Sequence, residues 1–483
     1  MSFLSKIPFP FLALVTGLVL SQALLLTGGC GGAKEPSATG ADAPPLPASA
    51  RPNVLILLAD DLRFDGLSAT GNPWIETPAL DRIAEEGVLF ERAYVTTSRC
   101  CPSRASFLTG RYAHVHGVLT NKPRHDFQEK YTTYAQELQG AGYRTGYVGK
   151  WHIRAPRPGA QTPPGFDHWV SYEGPGNHFD QEFNVDGETV PSKGFQADRL
   201  TDYAIDFIEA HDGDQPYLLT VGFKNPHVPM TPAPRHAGRL DDAAIELPAS
   251  AYDPIDRLPH FYRRLRGNLD RNHAIATAPE YIEATRRYWE LVLSIDDNVQ
   301  RILDVLESRG EIDSTVIIVT ADNGQLLGEH GIQQKGISYE PSIRIPFALR
   351  YPPVTASGGA SRSLALNVDL FPTLMELCGV TTSTPVDGMS LVPALRDPDA
   401  AVRSAFLYAG PQWNNGAMDE RAVIDGDLKL IRFVAADGSQ DVLYDRALDA
   451  DERDDVIDDP RYADDVRRMR AFLESESERL GLR

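Results

Sequence analysis

Asn53-Val54-Leu55-Ile56-Leu57-Leu58-Ala59, followed at once by Asp60-Asp61, is the stretch whose reading decides the architecture. The run is short, continuous and apolar, the pattern of a strand covered on both faces. Ser314 to Thr320 is a second run of the same type, and it leads into Asp322-Asn323-Gly324. Between the two, helical and strand patterns alternate. Pro78 to Gly87 spaces apolar and charged residues helically and Val88 to Val95 reads as a strand; Tyr131 to Gly140 and Arg144 to Val148 repeat the pair. Asp198 to Ala210 is an amphipathic helix, Tyr217 to Phe223 a strand, and Tyr281 to Arg309 a long helix. Strands alternating with helices predict an α/β fold, a large mostly parallel sheet sandwiched by helices. Ligands of such sheets bind beyond the carboxyl ends of the strands. Asp60-Asp61 and Asp322-Asn323 would bring two pairs of oxygen donors there.

A chain of 483 residues exceeds one small core, so a large domain with a smaller one is expected. Its 42% hydrophobic and 24% charged residues are ordinary for a soluble globular protein. A formal net charge of -20, with no long basic run to offset it, argues against nucleic acid as a partner. The four cysteines, Cys30, Cys100, Cys101 and Cys378, do not form a disulfide framework in so long a chain. Cys378 reads as a buried small apolar residue near a helix end. In the tail, Ala422 to Ile424, Leu428 to Val434 and Val442 to Tyr444 are short strands and Asp464 to Arg479 an acidic amphipathic helix. They fit a small antiparallel sheet with one helix.

Lys6 and the apolar run Phe11 to Leu26, with small residues behind it, mark residues 1–29 as a secretory signal rather than a spanning helix. Leu26-Thr27-Gly28-Gly29-Cys30 resembles a bacterial lipobox in which Cys30 becomes the lipidated N-terminus. Thr27 stands where a leucine is usual, so ordinary cleavage nearby is the alternative. Residues 30–50, rich in Ala and Pro, hold too few large apolar groups to fold and suit a flexible tether. Signal, lipid and tether together describe an exported protein of the cell envelope, periplasmic or at the cell surface.

Ser98-Arg99-Cys100-Cys101-Pro102-Ser103-Arg104-Ala105-Ser106-Phe107-Leu108-Thr109-Gly110-Arg111 reads as a reactive side chain at the start of a helix. Pro102 favours a first helical position, and Cys100 would then lie beside free backbone donors and partial positive charge. Arg104, one turn on, can pair with an anion there or orient a nucleophile. Read blandly, the stretch is a helix start with two buried cysteines. These residues resemble the Cys-x-Pro-Ser-Arg signature of the type I sulfatases, followed by that family's Leu-Thr-Gly-Arg. The family belongs to the alkaline-phosphatase-like superfamily, and the resemblance extends from residue 52 to about 395, more weakly through the tail. It implies a catalytic domain over 51–375 and a smaller C-terminal subdomain over 376–483.

Taken singly, Asp60 and Asp61 would more often cap a βα loop, and Asp322-Asn323-Gly324 would form a turn. As one set of oxygen donors they suit a hard divalent cation, and the absence of clustered histidines argues against zinc. The resemblance makes Asp60, Asp61, Asp322, Asn323 and the modified Cys100 ligands of Ca²⁺, with Mg²⁺ the other candidate. Asn323 stands where the family's di-zinc relatives need a histidine. Three more segments match: Gly146 to His152, carrying Lys150 and His152 two apart; Asn225-Pro226-His227-Val228-Pro229; and Gly328 to Gly336, carrying Lys335.

What the resemblance implies is hydrolysis of a sulfuric ester. Cys100, oxidised to formylglycine by a formylglycine-generating or equivalent maturation enzyme, would provide a hydrated aldehyde whose hydroxyl attacks sulfur, oriented by Arg104. Asp322 would accept its proton, Lys335 or His227 would protonate the departing oxygen, and His152 would take the proton of the second hydroxyl. Lys150 and Lys335 would neutralise charge built in the transition state. The segment 165–187, rich in glycine, aromatic and amide residues, reads equally as a sugar-binding rim and as packing. With Cys100-Cys101 it resembles sulfatases of glycosaminoglycans and other sulfated glycans, including those acting on 6-sulfated amino sugars. Sugar contacts are assigned to His178, Trp413, Asn414 and Asn415. A phosphonate monoester or phosphodiester hydrolase of the same superfamily is the nearest alternative. A glycan-binding lipoprotein with an unconverted Cys100 is the alternative of another class.

Overall fold

Every residue of β1 (Asn53–Asp60) is buried in the computed structural model, which describes residues 51–122, 130–153, 162–213, 215–263, 278–355, 358–411, 418–435 and 438–482. The readings of residues 1–50, with Cys30, and of Trp413, Asn414 and Asn415 fall outside the described residues. The described residues lie within one compact unit. Leu55, Ile56 and Leu57 each contribute about 1.5–3 kcal/mol by leaving water, which is why the continuous apolar run takes the centre of the sheet.

Around β1 are arranged β2 (Val88–Tyr94), β3 (Arg144–Gly149), β4 (His168–Ser171), β5 (Phe183–Val185), β6 (Glu188–Val190), β7 (Tyr217–Pro226), β8 (Thr315–Ala321), β9 (Phe347–Arg350) and β10 (Gly359–Leu366). Their order is β10-β2-β9-β8-β1-β7-β3-β4-β5-β6. The centre β8-β1-β7-β3-β4 is parallel throughout; β9 runs against both its neighbours and β5 and β6 close one edge antiparallel. The sheet is therefore mixed but mostly parallel at its core, as the alternation of strands and helices predicts.

The helices that matter for the site are α1 (Pro78–Glu85), α2 (Cys100–Thr109), α3 (Ala113–His116), α4 (Tyr134–Gly140), α5 (Gln196–Glu209) and α6 (Ala278–Ser308). α1 and α5 each pack on α6, and all three pack on the sheet, while α2 and α4 pack against the helix Leu370–Leu377. The N-terminus of α1 is satisfied at a distance: Asp296 Oδ1, from α6, accepts from the backbone N–H groups of Ala79 and Leu80 at 3.0 and 2.9 Å. Among the described residues no helix is long and apolar enough to cross a membrane.

A second sheet follows, β11 (Ala405–Ala409), β12 (Met418–Asp425), β13 (Leu428–Ala435) and β14 (Gly438–Asp445), antiparallel at each pairing, with the helix Ala463–Arg479 against it. Three of its strands are those expected from the tail's alternation, longer at their ends. Segment 165–187 supplies β4 and β5 and buries Trp169, Tyr172 and Phe183. Of its two readings, packing is the one its aromatics follow.

Candidate active site

Four adjacent parallel strands, β8, β1, β7 and β3, end at one place. Beyond β8 lie Asp322 and Asn323; at the end of β1, Asp60 and Asp61; at the end of β7, Lys224 and His227; beyond β3, Lys150 and His152. The strands converge tightly. A Cβ on Gly149 would fall 2.1 Å from the Gly222 carbonyl oxygen, and Gly149 has φ +121°. Only glycine fits there, and the Lys150 N–H then reaches that same oxygen at 2.8 Å. Asp61 and His152 adopt the left-handed region at φ 67° and 62°, a conformation that non-glycine residues keep only where the surroundings impose it.

α2 begins at Cys100, so Pro102 is its third residue rather than its first. The correction leaves the chemistry unchanged, because Cys100 still heads the helix among free backbone donors. Its thiol is fully buried, 2.8 Å from Lys335 Nζ and 3.6 Å from Asp60 Oδ1. Burial pushes the thiol up, but the ammonium groups of Lys150 and Lys335 outweigh it and hold it well below the usual range. Cys101 Sγ lies 2.9 Å from the His152 carbonyl oxygen, and burial raises its thiol to about 12. Of the neighbouring pair, Cys100 alone is electrostatically activated.

Arg104 bridges two strand ends. Its Nε donates to Asp322 Oδ2 at 2.7 Å and its Nη1 to the Lys150 carbonyl at 2.5 Å, within 3.4 Å of the Tyr147 hydroxyl. It thus ties β8 to β3, and its Nη2 is buried without a partner. Asp322 Oδ1 accepts the Asp61 N–H at 3.1 Å, so both its oxygens are engaged. Lys150 pairs with Asp60, and Lys335 pairs with Asp61. Three carboxylates thereby meet three cations. For Asp60, burial is outweighed by Lys150, His227, Lys335 and Arg104, which hold the carboxyl well below its ordinary value. Burial depresses His152 below the ordinary histidine range.

These residues fit a hard cation. Ligand atoms of Asp60, Asp61, Cys100 and His227 all lie within 4.8 Å of one another. Asn323 Nδ2 donates to Asp61 Oδ1 at 2.6 Å and to the Gly324 carbonyl at 2.9 Å, and its amide oxygen is buried with no hydrogen-bond partner. A buried amide oxygen left unpaired beside three carboxylates is what a divalent oxygen-seeking ion would satisfy. His227 joins this cluster, a placement that its isolated Pro-flanked motif does not announce.

His227 Nε2 lies 3.7 Å from Asp61 Oδ2, and its Nδ1 is 2.6 Å from the Val228 carbonyl. His178, expected at a sugar contact, is instead buried. It stacks on Phe195 and bonds the His227 carbonyl through Nε2 at 2.8 Å, so it braces His227 from behind. Two neighbours escaped sequence reading. Tyr288 donates to the Asp61 carbonyl at 2.6 Å, a contact across 227 positions with no local signal. Lys224, fully buried in β7, is a charge at the end of an apolar run, the same signal that singled out Asp60. Beside this turn opens a cavity of about 460 Å³ lined by Val228, Met230, Glu283, Arg287 and Gln333.

Cations fixed around a buried, charge-activated thiol at the carboxyl edge of a parallel sheet suit an anionic ester whose leaving oxygen gathers charge. That is the class of sulfate and phosphate ester hydrolases. The family model described as Sulfatase matches residues 52–380, and one described as N-sulphoglucosamine sulphohydrolase, C-terminal, matches residues 328–479. The chain belongs to the sulfatase family and is a sulfuric ester hydrolase. It is 30% identical to an N-acetylglucosamine-6-O-sulfatase of Bacteroides thetaiotaomicron, over 88% of this chain and 86% of that one. The N-acetylglucosamine-6-sulfatase of Homo sapiens is 31% identical over 77% of this chain and 68% of its own. A structure solved in complex with its substrate D-glucosamine-2-N,6-O-disulfate superposes with a TM-score of 0.80 at 29% identity, covering 89% of this chain and 98% of the other.

Proposed function

We propose that this enzyme removes sulfate from a sulfated carbohydrate of the glycosaminoglycan or 6-O-sulfated N-acetylglucosamine type. The observation that carries the substrate class is the 30% identity to the bacterial N-acetylglucosamine-6-O-sulfatase across 88% of the chain. Cys100, converted to formylglycine by a maturation enzyme, is the nucleophilic position. Formylglycine supplies a hydrated aldehyde, whose two hydroxyls allow attack and later release without water entering at sulfur. Ca²⁺ or Mg²⁺, held by Asp60, Asp61, Asp322, Asn323 and residue 100, supplies Lewis acidity toward the sulfate oxygens.

The protein's own groups do the remaining work. Lys150 and Lys335 balance charge on the sulfate and on the departing oxygen. Arg104 fixes Asp322 and the Lys150 main chain, keeping those groups in register. His227 presents Nε2 to the centre and gives its proton to the sugar oxygen; His152, beside residue 100, accepts one from it. Asp322 takes the proton of the attacking hydroxyl. The proposal extends to export through residues 1–29, a lipid on Cys30 and a tether over 30–50, with the catalytic domain at 51–375 and the subdomain at 376–483.

A panel of defined sulfated mono- and disaccharides, run beside an aryl sulfate and its phosphodiester counterpart, tests this reading. Sulfate release from N-acetylglucosamine-6-sulfate is expected. Preference for the phosphodiester, or no sulfate release by protein whose residue 100 is converted, would overturn it.

A further inference from the structure

Three lysines among the described residues are fully buried: Lys150, Lys224 and Lys429. Two have the counter-charge that such burial demands. Lys150 pairs with Asp60, and Lys429 with Glu340 and Glu452 at 2.7 and 2.6 Å. Lys224 makes no ion pair with a carboxylate among the described residues. Its Nζ donates to the Val228 carbonyl at 2.9 Å and lies 3.5 Å from His227 Nδ1. A buried ammonium without a paired anion costs free energy that an apolar side chain of similar length would not. Stability therefore does not account for a lysine here.

The contacts around Lys224 account for it better. Two groups converge on the Val228 carbonyl, the Lys224 ammonium at 2.9 Å and the His227 ring nitrogen Nδ1 at 2.6 Å. His178 holds the preceding carbonyl, that of His227, at 2.8 Å. With Nδ1 committed to the backbone, the ring can turn only if that carbonyl turns, and Lys224 fixes the carbonyl. Nε2 is left toward the centre, 3.7 Å from Asp61.

We infer that Lys224 is a positioning residue for the reaction, acting through the Val228 carbonyl to aim His227 Nε2 at the departing oxygen. This rests on the reading of His227 as the proton donor to that oxygen. Lys224 makes no hydrogen bond to Asp60, Asp61 or residue 100; its reach to the chemistry runs through the Val228 oxygen and the His227 ring, 3.5 Å from its Nζ.

The test is a double-mutant cycle in the converted, Ca²⁺-loaded enzyme, with kcat and KM measured on N-acetylglucosamine-6-sulfate and thermal unfolding followed alongside. His227→Ala is expected to lower kcat about 100-fold or more, the scale of a lost general acid. Lys224→Met should lower kcat about tenfold or more with KM within about twofold and no fall in Tm, because the loss is of aim and not of binding or folding. Lys224→Arg, which keeps a cation on Val228, should recover part of the loss. In the His227→Ala background Lys224→Met should do nothing further. Additive losses, a KM effect alone, or full kcat in Lys224→Met would overturn the inference. Undiminished kcat in His227→Ala would instead overturn the assignment of His227 as the donor, whatever Lys224 does.

Discussion

At Lys150 the requirements of folding and of chemistry coincide. The side chain is inaccessible to solvent and pairs with an equally inaccessible Asp60. Replacing it by methionine keeps the volume but strips the buried Asp60 of its direct ion pair, which costs about 3 kcal/mol of stability. It also removes a cation from the sulfate site, for which a loss of about 10²–10³ in kcat is expected. Added Ca²⁺ should return part of the stability of Lys150→Met, since an ion bound only by the folded chain at about 100 times its Kd contributes about 2.7 kcal/mol. Urea unfolding with and without Ca²⁺ checks both numbers. A variant as stable as wild type in the absence of the ion would show that Asp60 does not need Lys150.

Among the elements, the approach of β3 to β7 sets where Lys150 and His152 stand. Gly149→Ala would force a methyl to 2.1 Å from the Gly222 oxygen at a φ that alanine resists. The strand end must shift, with an expected loss of about 3 kcal/mol or more and of most sulfate release. Denaturant midpoints and initial rates on the purified variant measure the two effects; a variant that keeps both would show that the approach is slack.

What the chain discloses before folding follows from the same elements. β1, β7 and β8 are legible because strands buried on both faces must be apolar throughout, and Asp60-Asp61 and Asp322-Asn323 stand out at their ends for that reason. β5 and β6, of three residues each, and β9, of four, carry no period long enough to read. Pro102 misleads by two residues because a proline in any position of the first turn forfeits no bond. His178 and Arg104 show the larger gap. Sequence gives each its chemistry, but only the fold reveals that His178 is spent on the His227 carbonyl and Arg104 on Asp322.

For the molecule as a whole, the two sheets are joined by buried charge. Lys429, on β13, reaches Glu340, Glu452 and the Ser338 carbonyl, and Arg446 adds a 2.7 Å contact to Glu340 and a 2.9 Å contact to the Tyr94 hydroxyl on β2. Lys429→Met leaves Glu452 without a cation, so a loss of about 3–5 kcal/mol is expected. Because the network spans both sheets, calorimetry should show one transition moved down as a unit. A separate low-temperature transition for the small sheet would show that the sheets fold independently.

The account as a whole depends on residue 100 being the position through which sulfate leaves its sugar. The most direct measurement is sulfate released from N-acetylglucosamine-6-sulfate by the wild-type protein and by Cys100→Ala, each preparation checked by peptide mass spectrometry at residue 100. The account predicts turnover by the wild-type protein in proportion to its converted fraction, and none by Cys100→Ala folded to the same Tm. Equal release by the two proteins, or release independent of conversion, would contradict it.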